Sequence, residues 1–154
     1  MILDRLPRHI TGFFDRSEQL RAIEPEGFKA ACYLVAGMEG GSVESLHLDR
    51  VARSYYAATV RTRSDHLSVL CNATHPYLAF VAAGTFGGWD SEFIAPVSLA
   101  SAFASVTEFQ PLDADWLAAD LRAELLADLA SGELEQVKYW KPQRIGDVVF
   151  NCWD

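Results

Sequence analysis

The stretch Ser54-Tyr55-Tyr56-Ala57-Ala58-Thr59-Val60-Arg61-Thr62-Arg63-Ser64-Asp65-His66-Leu67-Ser68-Val69-Leu70-Cys71-Asn72-Ala73-Thr74-His75-Pro76-Tyr77-Leu78-Ala79-Phe80-Val81-Ala82-Ala83 decides the fold. Ser54–Thr62 is rich in Tyr, Val and Thr, which fit a pleated surface. Arg63-Ser64-Asp65 interrupts it as a turn would. His66–Asn72 alternates, with Leu67, Val69 and Cys71 on one side. After the break at Ala73-Thr74-His75-Pro76, Tyr77–Ala83 is almost wholly apolar, as a central strand covered on both faces would be. Breaks this short between strands predict an antiparallel meander.

Working outward, Ser45–Val51 reads as a further strand with Leu46 and Leu48 on one side, and Thr11-Gly12-Phe13-Phe14 as a short one. Glu24-Pro25-Glu26 is a helix start, because proline suits the first helical position and acids suit the first turn. Phe28, Ala31, Cys32 and Val35 then share a face, and Gly37 with Gly40-Gly41 ends the element. A strand through Ala31–Val35 is the competing reading. Downstream, Phe93-Ile94-Ala95 reads as a short strand and Ser98 as the cap of a helix reaching about Val106.

Asp113 is a favourable N-cap, and Leu112 and Leu117 have hydrophobic-staple spacing. Leu117, Leu121, Leu125 and Leu129 repeat every four residues, so a long helix is expected, closed by Gly132. A strand is expected at Gln136–Trp140. In the tail, Ile145, Val148, Val149, Cys152 and Trp153 fall on one face of a terminal helix docked into a core or a partner. Gly146 is its weak point, costing about 1 kcal/mol against alanine. The expected architecture is a single α+β domain over residues 1–154: an antiparallel sheet of about four to six strands, helices packed on one face, and the C-terminal helix docked back.

The chain has 154 residues, half of them hydrophobic, which is enough for a core without staples. No run approaches the roughly 18 apolar residues that span a bilayer. The first residues lack the pattern of a secretory signal. Cys32, Cys71 and Cys152 are an odd, widely spaced set that suits a reducing compartment, so a cytoplasmic protein is expected. Through Asp65, nine Lys/Arg balance nine Asp/Glu; beyond it four face twelve, so the whole net charge of −8 lies in the second part. This balance argues against nucleic acid and against an anionic membrane surface. It suits a basic protein partner.

Chemical motifs are sparse. Cys71 and His75 are four residues apart, but no element orients them as a nucleophilic pair. The four histidines lack metal-site spacing. Gly84-Thr85-Phe86-Gly87-Gly88 lacks the Gly-Lys-Ser/Thr ending of a phosphate loop, and no cofactor is expected. Asp90 and Glu92 have the residue types of a glycosidase pair but only a common loop spacing. Trp89 beside Asp90 and Glu92 offers an aromatic anchor for a partner. Asp113, Asp120, Glu124 and Asp128, at spacings of seven, four and four, would line one side of the long helix. Such a stripe serves a basic partner or is a solvated face.

The tail Tyr139-Trp140-Lys141-Pro142-Gln143-Arg144-Ile145-Gly146-Asp147-Val148-Val149-Phe150-Asn151-Cys152-Trp153-Asp154 resembles a C-terminal signature of small bacterial proteins: an aromatic residue, Trp-Lys/Arg-Pro, Gly-Asp/Glu, and a terminal Phe-Asn-x-Trp-Asp. Small acidic proteins of this kind resemble the immunity proteins of bacterial toxin systems. The resemblance implies a non-catalytic inhibitor that occludes a basic toxin, and it carries over no site residue. The partner-binding residues expected here are Trp89, Asp90, Glu92, Asp113, Asp120, Glu124 and Asp128. The alternatives are a small cytoplasmic enzyme and a homo-oligomeric structural protein, the latter a dimer through the Val149/Trp153 face.

Overall fold

A computed structural model describes residues 1–84 and 91–153. Five strands form one sheet in the order β1 (Ser42–His47), β2 (Tyr55–Arg61), β3 (His66–Asn72), β4 (Tyr77–Ala82) and β5 (Gln110–Pro111). The first four are an antiparallel meander, as the short breaks predict. β3 has the predicted limits, β2 is one residue shorter than predicted at each end, and β4 one residue shorter at its C-terminal end. β5 is different: Tyr77 pairs with Gln110 and Leu78 with Pro111 in parallel, which makes the sheet mixed. A parallel neighbour needs a crossover connection, and α2 (Val97–Val106) lies on it. Phe93 makes a single antiparallel bridge to Val81 where a short strand is predicted.

Alternation along the strands supplies two apolar faces. Tyr56, Ala58, Val60, Leu67, Val69, Cys71, Leu78 and Phe80 pack on one side with α1 (Pro25–Met38) and α2. Tyr55, Ala57, Leu70, Ala79 and Val81 pack on the other with the N-terminal segment and the C-terminal third. The helices therefore divide between both faces rather than covering one. The reason is in the strands, which bury both sets of alternate residues. α1 buries Phe28, Ala31, Cys32 and Val35 as its periodicity predicts. It ends where Gly40, at φ +71°, lets the Gly41 N–H reach Ala36 O.

The predicted long helix through Leu129 is not formed. Asp113 caps α3 (Ala114–Ala118), accepting from the Trp116 N–H at 2.8 Å, but α3 stops after five residues. Ala119–Leu121 turn extended and pair with the tail: Ile145 N–H donates to Ala119 O, and Leu121 N–H to Gln143 O. A 3-10 turn, Ala123–Leu126, follows. Leu117, Leu125 and Leu129 all reach the core from this bent path. Tertiary pairing here overrides helix propensity.

The strand expected at Gln136–Trp140 is instead the second half of α4 (Ser131–Trp140), and Gly132 opens that helix rather than closing the previous one. Its start is fixed from outside. The Asp15 carboxylate accepts from the Ser131 hydroxyl at 3.0 Å and the Gly132 N–H at 2.8 Å. Thr11–Phe14, expected as a strand, is a turn with Gly12 at φ +86°.

The tail docks within the chain. α5 (Ile145–Val149) is short, yet Ile145, Val148, Val149 and Trp153 are buried as predicted, while Cys152 is exposed. The face considered for a two-fold interface is thus core. Buried polar groups fasten it. Ser54 Oγ donates to Val149 O at 3.0 Å, and Asn72 Nδ2 donates to Val149 O at 2.8 Å and Ile10 O at 2.9 Å. Asn151 Nδ2 donates to Thr11 O and Val148 O, both at 3.0 Å. The terminal Asn is therefore a clamp between the N-terminal segment and the end of α5.

Gly146 reverses its sequence reading. A Cβ there would fall inside van der Waals distance of the Phe93 ring edge and 3.1 Å from Leu117 O. Phe93 has little room to yield, since the Arg144 guanidinium lies 5.1 Å above its ring and Phe150 is 6.4 Å away. Gly146→Ala is expected to destabilise by about 1–3 kcal/mol, where helix propensity alone predicts a gain. A lower urea midpoint at unchanged slope is the readout.

Candidate protein-binding surface

The acidic segment keeps its side chains in solvent although its helix is broken. Trp116, Leu117, Leu125 and Leu129 point into the core, and Asp113, Asp115, Asp120, Glu124 and Asp128 are exposed. Five acids against Arg122 leave residues 113–128 at −4. The side chains are not equivalent. Asp113 is committed to its cap. Asp128 meets Arg5 at 3.3 Å and Glu124 meets Arg122 at 3.9 Å, both as exposed pairs of little energetic weight. The expected single helical stripe is thus replaced by a bent acidic strip. The N-terminal residues brace it, because Asp113 N–H donates to Met1 O and Leu6 N–H to Leu125 O.

One bridge ties this strip to a cleft. Asp120 pairs through its backbone with Arg144. Arg144 lines an open cleft of about 700 Å³ with Ser91, Glu92, Trp140, Lys141, Gln143 and Asp147. The arginine is held rigidly. Its Nη2 donates to Asp147 Oδ1 at 2.7 Å, its Nη1 donates to Ser91 O at 2.6 Å, and its plane covers Phe93. Asp147 also accepts the Arg144 backbone N–H at 3.0 Å, which starts α5. Trp140 is half-buried, its indole N–H donating to Gln136 Oε1 at 3.1 Å. Lys141 follows as the left-handed C-cap of α4, at φ +52°, its N–H donating to Val137 O.

Of the sequence-predicted residues, Glu92 lines this cleft and Asp120 is joined through its backbone to Arg144 on the cleft wall. Asp113, Glu124 and Asp128 lie along the acidic strip. Trp89 and Asp90 lie outside the described residues. Sequence reasoning misses Trp140, Lys141 and Arg144 as surface residues. Their signal was an aromatic and two bases next to a predicted helix start.

The motifs read for chemistry have other occupations. The Cys71 thiol is packed on the α1 side of the sheet, and burial pushes its pKa well up. His75 turns away from it, its Nδ1 2.9 Å from Thr74 Oγ1 and its ring stacked on Tyr77. Among the described residues no three His, Cys, Asp or Glu side chains gather as metal ligands, and no helix is long and apolar enough to cross a membrane. No protein-family model matches the chain. No curated protein and no solved structure is significantly similar to it.

Proposed function

We propose that the chain is a protein-binding module that seats a basic protein partner on the cleft and the acidic strip, as a toxin-neutralising immunity protein would. The observation that carries this reading is the Asp120–Arg144 bridge, which sets exposed carboxylates beside an open cleft with a half-buried tryptophan. Protein interfaces combine an aromatic anchor with a charged rim in this way. A basic surface is drawn toward residues 113–128, and a side chain of the partner enters between Trp140 and Glu92. Inhibition is by occlusion, with no chemistry on the partner.

The test pairs charge reversal with salt. Glu92→Lys and Asp120→Lys change two exposed side chains and leave the fold intact. A basic protein captured from the host lysate by the native chain is expected to bind the double variant roughly tenfold more weakly at low salt, with the gap closing at high salt. Equal capture by both chains, or capture indifferent to salt, would sink the proposal.

A further inference from the structure

A second concavity, of about 300 Å³, opens between the N-terminal segment and the turn after β3. It is lined by Arg8, His9, Gln19, Arg21, Thr74 and His75. None of these residues belongs to the cleft or the acidic strip. In a chain of net charge −8, this lining carries two arginines and two histidines, with Glu18 adjoining it as the partner of Arg8.

The walls are built rather than incidental. The Asn72 carboxamide oxygen accepts from the Thr74 and His75 N–H groups, both at 3.0 Å, which fixes the turn. Thr74 Oγ1 lies 3.0 Å from His9 O, which ties the turn to the N-terminal segment. His9 sits in the left-handed region at φ +74°, held there by the Glu133 carboxylate on its N–H at 2.7 Å. Non-glycine residues kept in that region cluster at ligand clamps.

The proton positions follow from the contacts. Thr74 has one hydroxyl proton, and its neighbours His9 O and Asn72 Oδ1 can only accept. Thr74 Oγ1 is therefore the acceptor toward His75, and Nδ1 carries a proton. His75 Nε2 is left to the pocket, as a lone pair when the ring is neutral and as a donor when it is charged. His9 Nε2 is buried 3.2 Å from Glu18 Oε2 without hydrogen-bond alignment. Arg8 is fixed through Nε, 2.7 Å from Glu18, and stays half-exposed. Arg21 is exposed and makes no ion pair among the described residues.

We propose that this pocket binds a small phosphomonoester. Arg8, Gln19, Arg21 and His75 stand on separate segments of the wall, and the oxygens of a tetrahedral phosphoryl group meet donors spread in this way where a planar carboxylate faces fewer of them. Its second pKa of about 6 lies in the histidine range, so ligand and His75 share the binding proton. The pocket volume is at the small end for ligand sites, which suits a phosphate with a short carbon body.

The charged groups around His75 set the direction of the pH linkage. Burial lowers its pKa from the ordinary histidine value, His9 works in the same direction, and Glu133 behind the turn works against both. The Arg8 hydrogen bond holds Glu18 ionised, at a pKa of about 2, and Asp15 lies 3.7 Å from Arg8. A bound dianion adds negative charge, so it must raise the His75 pKa.

The experiment is an NMR titration of the histidine ring signals of the full chain. Inorganic phosphate and glycerol phosphate serve as probes, with chloride at matched ionic strength as control. Saturable shifts of His75 and His9 are expected, with a higher His75 pKa in the bound form and glycerol phosphate binding at least as well as phosphate. Arg21→Gln should weaken binding about tenfold, as loss of one charge-assisted contact does. Arg21 is exposed, so the variant folds. Shifts that chloride reproduces, or that Arg21→Gln leaves unchanged, overturn the site. Binding of inorganic phosphate alone overturns the ester.

Discussion

Truncation after Gly146 is expected to give a chain that does not fold. The lost residues include Val148, Val149, Phe150 and Trp153, each buried in the core on the second face of the sheet. Burying such a side chain is worth about 1.5–3 kcal/mol, so four are worth roughly 6–12. Loss of Asn151 also strips the Thr11 carbonyl of its donor, and loss of Val149 O takes the acceptor of the Ser54 hydroxyl and one of the two acceptors of the Asn72 amide, all buried polar groups. Each such orphan costs about 1–3 kcal/mol. The sum matches or exceeds the 5–15 kcal/mol that a domain of this size possesses. Circular dichroism should show no near-ultraviolet signal and no cooperative melt. A homodimer joined through the Val149/Trp153 face predicts the opposite, a folded monomer. A sharp melting transition in the truncated chain would show that the tail is not core.

The same residues show what the sequence can carry. β2, β3 and β4 are legible because their alternation is local and both faces are buried, so each residue states its side. β5 is invisible because two residues hold no period, and its partner is set by a crossover. Leu117, Leu121, Leu125 and Leu129 repeat every four residues, yet a bent chain satisfies their burial as well as a helix does. What breaks the helix is pairing of Ala119 and Leu121 with Ile145 and Gln143, more than twenty residues away. That information is long-range, and no window contains it. Gln136–Trp140 contains Val, Tyr and Trp, good strand material, but α4 is decided at its first turn by Glu133 and Asp15.

The candidate surface was legible in its charges and not in its shape. Glu92 and Asp120 were singled out for acidity alone. Only the fold places Glu92 on a cleft with Trp140 and Arg144 and pairs the Asp120 backbone with Arg144. The five tail residues at the cleft, Trp140, Lys141, Gln143, Arg144 and Asp147, are legible as part of an unusual motif but not as a surface, because the tail's periodicity speaks for burial. Asn151 and Trp153 fulfil that burial, while Trp140 and Lys141 stand at the rim.

Glu133→Ala is expected to destabilise the protein by about 3–5 kcal/mol, because it leaves several buried donors without a partner at once. Glu133 is completely buried. Its Oε1 accepts from the His9 N–H at 2.7 Å and the Ala130 N–H at 3.0 Å. Its Oε2 accepts from the Thr11 hydroxyl at 2.6 Å and the Thr11 N–H at 3.1 Å. No basic side chain touches it among the described residues; four neutral donors and the N-terminal end of α4 solvate the charge. Alanine leaves those donors buried and empty, and frees the N-terminal segment from α4. Glu133→Gln separates the charge from the geometry. Its amide keeps one acceptor oxygen but turns an NH2 group toward two donors, so it should lose nearly as much as alanine. If the carboxylate served only as a space-filler, glutamine would be close to native. Urea unfolding of the three proteins decides it, provided the slope is unchanged. The pocket near His9 gives a second readout. Without Glu133 to hold His9 at φ +74°, the His9 and His75 ring signals should broaden and lose their phosphate response, even where the sheet remains folded.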